Sequence, residues 1–579
     1  MISIFRKFFG FSGNQKKTFY IALVYSFFHS IFEAMRFGAI FVVLDALIKD
    51  SVTGHTVALS LGIMLVSIAG STFTRNKTVM KQCTAGFNLC ANKRVEVGDR
   101  LKYMPMGYFN ANNLGHISST TTNTCENIQE IATRVIQMNL QAMISSGVVI
   151  IVLMFIDYRI GLISFGGILL FLLVNHFMQN ASLRVSPRKM KSESQIVDAV
   201  LEYVQGIGVV KSFNLSAQAN KQVDQAIDEA RDTFFELEST FIPFAMSQIL
   251  LFKLVGVVVI LASVLFYLNG TMSLMYGLLM IIVSFMLYAE LEIAGVLSAL
   301  LRMIDLSVDK VNAIFESPVM DENGTAGKPQ AFGIVVSAVS FSYDTRKILD
   351  NVSLTIPANT TTAIVGPSGS GKTTVCRLIA RFWDVDEGSI SIGGKDVRDY
   401  KLDELLANIS MVFQNVYLFN DTIANNIKFG SPEASMGQIE TAAKKACCHE
   451  FIMQLPEGYD TIMGEGGATI SGGEKQRIAI ARAMLKDAPI IILDEAMANV
   501  DPENEKLLQT AIRELTRHKT IIMIAHRLKT VRHADQIIVL DKGKIVQSGN
   551  HAGLMKKEGM YADFVAMREK SIGWKLGVA

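Results

Sequence analysis

Apolar residues are distributed differently in the two halves of the chain. Between about residues 18 and 300 they come in long, nearly unbroken blocks; beyond 330 they come in short bursts between polar and glycine-rich stretches. Six blocks, 18–48, 56–74, 128–156, 160–178, 241–268 and 273–300, are long enough to cross a bilayer, which takes roughly 20 mostly apolar residues. Backbone amides in hydrocarbon must be satisfied within their own segment, so each block is expected to be a helix. Segments 75–127 and 179–240 are polar but keep an apolar position every three or four residues, the signature of long helices leaving the membrane. Each is expected to turn back on itself, near 108–115 and 206–213.

Positive charge sets the orientation. Arg6, Lys7, Lys16 and Lys17 precede the first block; Arg75, Lys77, Lys81, Lys93, Arg94, Arg100 and Lys102 follow the second; Arg184, Arg188, Lys189 and Lys191 follow the fourth. The alternate connections, 49–55, 157–159 and 269–271, are short and poor in cations. Both termini and the whole second half are therefore expected on the cytosolic side of a multi-pass protein of the cytoplasmic (inner) membrane. The N-terminal apolar stretch is too long for a signal peptide and lacks a small-residue cleavage site.

Composition agrees with this reading and adds exclusions. Half of the residues are apolar and the mean hydropathy is +0.32. A net charge of only +2 gives no attraction to polyanions, so nucleic acid is not expected as a partner. The six cysteines form no CxxC pair and read as reduced thiols facing the cytosol. Inside the apolar blocks the charges Glu33, Arg36, Lys253, Glu290 and Glu292 stand out, because charge in hydrocarbon is costly. They read either as ion pairs or as the lining of a cavity for an amphipathic cargo.

At 320–329 (MDENGTAGKP) the composition turns to glycine, proline and charge, which marks a linker. The expected organisation is a helical membrane domain over 1–317, a linker over 318–331 and an α/β P-loop NTPase domain over 332–579. IVVSAVSFSY and NVSLTIPANTTTAIVG read as strands by their β-branched content. The second runs directly into GPSGSGKTT, which satisfies G-x-x-x-x-G-K-[ST] between a strand and a helix-compatible run. Gly366, Gly369 and Gly371 let backbone N–H groups turn toward phosphates, with Ser368, Ser370 and Thr374 completing the loop. The helix that follows adds its positive dipole end. Lys372 is expected to reach the β- and γ-phosphates of ATP, and the Thr373 hydroxyl to coordinate Mg²⁺. Further on, PIIILDEA places four apolar residues before Asp494 and Glu495, a buried parallel strand with acids at its carboxyl end. Asp494 is expected to hold Mg²⁺, and Glu495 to act as general base on the attacking water.

Between these two elements ISGGEKQR (470–477) resembles the signature of ABC transporter ATPases, and its Ser471 lies 23 residues before Asp494. The resemblance extends over essentially the whole chain and implies a half-transporter of the exporter fold. By that resemblance Tyr343 stacks on adenine, Gln414 touches Mg²⁺ and water, and His526 contacts the γ-phosphate. Ser471, Gly472, Gly473, Glu474 and Asp501 then complete the ATP site of a second half-transporter, head to tail. Departures from the family pattern are Ala498-Asn499-Val500 before Asp501, Glu465-Gly466-Gly467 before the signature, and Glu474 in place of glutamine. These altered loops lean toward a paralogous rather than an identical partner. The implied function is ATP-driven export of a small amphipathic substrate, a drug, lipid or peptide, with membrane lipid as a further partner. The alternative is import of metal-siderophore complexes, because VDPENE (500–505) looks like that subgroup. A soluble ABC ATPase is excluded by the six apolar blocks.

Overall fold

The structure, a computed structural model, describes residues 2–109, 111–213, 216–320, 324–343, 346–464, 467, 470–494, 502–524 and 531–572. Contacts divide the chain into two compact units, Met1–Lys102 with Asn110–Ser317, and Tyr103–Phe109 with Pro318–Ala579.

The first unit is all helix, with Lys16–Ile48, Gly54–Leu101, Thr133–Ile156, Tyr158–Gln205, Ser216–Leu268 and Leu274–Met286 as its main members. Gly54–Leu101 has 48 residues. At 1.5 Å per residue it is about 72 Å long, more than twice a hydrocarbon core of roughly 30 Å. The polar extensions expected at 75–127 and 179–240 are therefore largely helical continuations of the spans. Among the described residues, five helices are long and apolar enough to cross a membrane by length and composition. Lys16–Ile48, which holds the first expected span, is not among the five; its 33 residues include Glu33, Arg36 and Asp45. Pairing lowers the cost of burying these charges. Arg36 bonds Glu33 one turn away, and Lys253 bonds Glu292 on a neighbouring helix at 2.9 Å. Glu290 has one carboxylate oxygen buried without a hydrogen-bond partner among the described residues.

The second unit is built on two sheets. β1 (Ile334–Tyr343), β2 (Arg346–Ile356), β4 (Glu387–Ile392) and β5 (Lys395–Asp396) form an antiparallel sheet in the order β2-β1-β4-β5. The other strands are β3 (Thr361–Val365), β6 (Ile409–Val412), β7 (Ile490–Asp494), β8 (Thr520–Ile524), β9 (Gln536–Asp541) and β10 (Lys544–Gly549). They form a six-stranded sheet in the order β10-β9-β3-β8-β7-β6. All its pairings are parallel except β9 with β10. β7 and β8 are buried along their whole length, so they read in the sequence as unbroken apolar runs. The stretch NVSLTIPANTTTAIVG is two strands, the tail of β2 and all of β3, separated by Pro357, which cannot donate to a ladder.

The first expected turn, near 108–115, has an anchor that the sequence did not reveal. Tyr103–Phe109 groups with the nucleotide unit, where Met106 N–H donates to Phe382 O at 2.9 Å and the Tyr103 hydroxyl to Asp403 at 2.8 Å. Gly107 fits because a Cβ there would lie 2.7 Å from Trp383 Nε1. At the second expected turn the long helix stops at Gly206, and a short helix, Ile207–Phe213, follows.

Candidate nucleotide site

β3 is flanked by β9 and β8 and delivers the chain into the glycine loop at its carboxyl end. Gly366 packs so tightly against β9 that a Cβ would lie 2.0 Å from Leu540 O. Gly371 has φ +101° and begins the helix Lys372–Ile379, where a Cβ would lie 2.6 Å from Leu349. Gly369, at φ +78°, has nothing within 4 Å of that position, so the middle of the loop faces open space. Ser368 and Gly369 are exposed, whereas Ser370, Gly371, Lys372 and Thr374 are buried.

The Lys372 ammonium curls back over the loop, donating to Gly366 O at 3.1 Å and Pro367 O at 2.8 Å. Asp494 ends β7 fully buried, and the Thr373 hydroxyl donates to its carboxylate at 3.3 Å. Among the described residues, the buried Ser370 hydroxyl has no partner. A buried orphan hydroxyl, a curled ammonium and a hydroxyl–carboxylate pair are the donor set expected where an anion and a hard cation bind. The thiol of Cys376, one turn along the helix, is pushed well up by burial and by the Asp494 charge, so it adds no anion to the site.

Tyr343 ends β1 half-buried, edge-on to Phe341 and to Trp383 at ring-centre distances of 5.0 and 5.3 Å. Gln414 lies just beyond β6, exposed. Glu495, Asp501 and His526 lie outside the described residues, as do Glu465, Gly466 and the 498–500 loop.

The signature segment stands elsewhere in the unit. Ser471 caps the helix Gly472–Lys486: its hydroxyl accepts from Glu474 N–H at 3.3 Å, and the Glu474 carboxylate accepts from Ser471 N–H at 2.8 Å. This reciprocal box explains why glutamate is tolerated where the family has glutamine, since either side chain closes it. Ile478, Ile480 and Ala481 of that helix belong to one core, with Ile491, Leu493 and Leu508; Val375, Leu378 and Ile379 behind the glycine loop belong to another, with Ile490 and Ile492 from the other face of β7. The signature helix and the helix after the glycine loop thus pack into cores on opposite faces of the sheet, with β3 and β7 contributing to both.

Some supporting residues carry no motif and were not singled out in the sequence. Gln476, buried, donates to Phe413 O at 3.2 Å, linking the signature helix to the segment before Gln414. Arg482 donates to Tyr417 O at 2.8 Å and to the side chain of fully buried Asn426 at 2.6 Å. Trp383, one of only two tryptophans, was the available signal for the Tyr343 neighbourhood.

Comparison with known proteins agrees with this architecture. Residues 349–498 match the family described as ABC transporter, and residues 19–289 match ABC transporter transmembrane region. An ATP-dependent lipid A-core flippase of Legionella pneumophila (strain Paris) is 32% identical over 480 residues, 82% of this chain and 81% of the relative. A protein of the same name from Vibrio cholerae serotype O1 is 46% identical over 266 residues, but that match spans only 45% of this chain and 44% of the relative. The structure of a bacterial Atm1-family ABC exporter with ATP bound superposes with a TM-score of 0.86 over 96% of this chain and 98% of that one, at 24% identity, a likeness of fold. The chain belongs to the ABC transporter family, with a helical membrane region followed by an ATPase region.

Proposed function

We propose that the chain is half of an ATP-driven exporter of lipid-type amphiphiles, with a helical domain over 1–317 and a nucleotide domain over 332–579. The glycine loop at the end of β3, its Thr373 hydroxyl set against buried Asp494, carries the reading. The relatives' names favour a lipid over the broader range of drugs and peptides. They also count against the siderophore importer, whose support was six residues, 500–505. Nothing in the comparisons supports the paralogous partner inferred from the altered loops, so we propose two identical chains.

In this reading Lys372 exchanges its two loop carbonyls for phosphate oxygens, and the N–H groups of the loop, with Ser370, hold the rest of the triphosphate. Thr373 and Asp494 hold Mg²⁺ with help from Gln414; when bound, the ion offsets charge on the phosphates. Glu495 takes the proton of the attacking water, His526 contacts the γ-phosphate and Tyr343 stacks on adenine. Ser471, Gly472, Gly473, Glu474 and Asp501 of the partner chain close the site. Closure makes contacts that only the ATP-bound pair can make, so ATP shifts the population toward it. Alternating exposure of a central cavity follows from that closure. The nucleotide domains and both termini are cytosolic.

The test is reconstitution into vesicles of both orientations with a fluorescent lipid. ATP added on the nucleotide-domain side should drive lipid to the opposite leaflet, and Lys372→Ala should abolish both nucleotide photolabelling and movement. Lipid movement that persists in Lys372→Ala overturns the proposal, and net movement toward the nucleotide side restores the importer.

A further inference from the structure

The helical unit holds an apolar cavity of about 370 Å³ unrelated to the nucleotide machinery. Three helices form it: Lys16–Ile48 contributes Ala34, Gly38 and Phe41, Thr133–Ile156 contributes Val148 and Val152, and Leu274–Met286 contributes Leu279. Every lining residue is apolar. Its depth follows from helix geometry. The first two helices end, and the third begins, at the short connections 49–53, 157 and 269–273. At 1.5 Å per residue, Gly38 lies about 15 Å along its helix from that end, Val148 about 12 Å and Leu279 about 8 Å. All three depths fall inside a hydrocarbon layer roughly 30 Å thick.

The cavity has a floor and an open side. Leu279 is 2% exposed, whereas Ile31 and Val152 at the rim are 37% and 38% exposed. The open side includes Gly38, where an added Cβ would meet nothing within 4 Å. Water does not enter a cavity with no polar partners, and a void left empty forfeits the dispersion contacts of its walls. At this depth the medium that fills it is hydrocarbon.

We propose that this cavity holds one alkyl chain of the transported lipid. The inference rests on the lipid-exporter reading above. At about 30 Å³ per methylene, close to the share of a water molecule in the liquid, the space takes on the order of a dozen carbons. No charged side chain lines it, so it selects for chain and leaves the headgroup to other residues. Glu33 and Arg36, on the same helix, are already bound to each other.

The experiment uses the full chain in nanodiscs with a phospholipid carrying a diazirine near the end of one acyl chain. Photolysis and peptide mapping should place the label on 31–41 and 148–156. Gly38→Leu starts from a Cβ with nothing within 4 Å and extends into the open side; by displacing about two methylenes of the chain it should cut that labelling roughly tenfold. It should raise the lipid concentration for half-maximal ATPase stimulation similarly, while the ATP dependence stays unchanged. Gly38→Ala, which adds one methyl, should stay close to wild type. Undiminished labelling in Gly38→Leu overturns the proposal. So does label spread evenly onto exposed Leu169 and Leu261, outside both segments, which would mean bulk lipid, and so does a disulfide between two Gly38→Cys chains, which would mean that a second copy covers the cavity. Failure of the exporter reading is read separately, as lipid movement that survives Lys372→Ala. Intact ATP-driven movement with no label in the cavity sinks this inference alone.

Discussion

Gly366→Ala tests most directly how the sheet positions the phosphate loop. The new methyl would lie 2.0 Å from Leu540 O and 2.9 Å from Ser370 Oγ. Heavy atoms in contact sit about 3.5 Å apart, so the loop must withdraw from β9 by roughly 1.5 Å. Overpacking of this kind costs about 1–3 kcal/mol, and a displacement near 1 Å in a positioned site can lower its performance about 10²-fold, or ~2.7 kcal/mol. ATP affinity of the purified chain in nanodiscs, followed with a fluorescent analogue, should therefore fall by about two decades. Gly369→Ala is the control. It has the same added methyl at φ +78° but no neighbour within 4 Å, so only left-handed strain of about 1–2 kcal/mol applies and the loop keeps its place. Its affinity should fall less than tenfold. If Gly366→Ala binds ATP within threefold of wild type, or if Gly369→Ala is the worse variant, the loop is not held by its approach to β9.

Other substitutions probe separate parts of the chain. Thr373→Val removes the hydroxyl that faces Asp494 at 3.3 Å; it should lower affinity for MgATP about tenfold while leaving ATP binding in EDTA nearly unchanged, and equal losses in both would contradict a metal role. Asn175 is buried with both amide atoms unpartnered among the described residues, so Asn175→Leu should raise the melting temperature of the chain in detergent by removing two orphan groups. Maleimide mass labelling at pH 7.5 should modify exposed Cys83 and spare Cys376 and Cys448, because burial pushes both thiols up, Cys448 to about 12. Asp350 is held below its ordinary value of 3.8 by hydrogen bonding to Lys347 and then to Lys544. Its contribution to stability is present above that value and lost as pH falls through the lower folded value. The melting difference between wild type and Asp350→Asn should therefore close as pH drops below about 4, and should shrink in high salt.

The local elements were legible because each rests on a local rule. Apolar blocks long enough to span a bilayer must be helices, which held for 56–74 and 160–178, and a β-branched run feeding G-x-x-x-x-G-K-T must be a strand and a phosphate loop, which held for β3. The reciprocal cap between Ser471 and Glu474 also obeys a local rule, a three-residue spacing, but was not among the expectations. What the chain could not disclose was long-range contact. Nothing local says that Gly107 meets Trp383, that Gly366 must be glycine because of Leu540, or that Lys253 finds Glu292 on another helix. The cavity beside Gly38 likewise exists only where three helices far apart in sequence converge. Hydropathy and spacing fix what a segment becomes because backbone hydrogen bonding and solvent transfer act along the chain. Which segments meet is decided by packing among side chains that the chain order does not make neighbours.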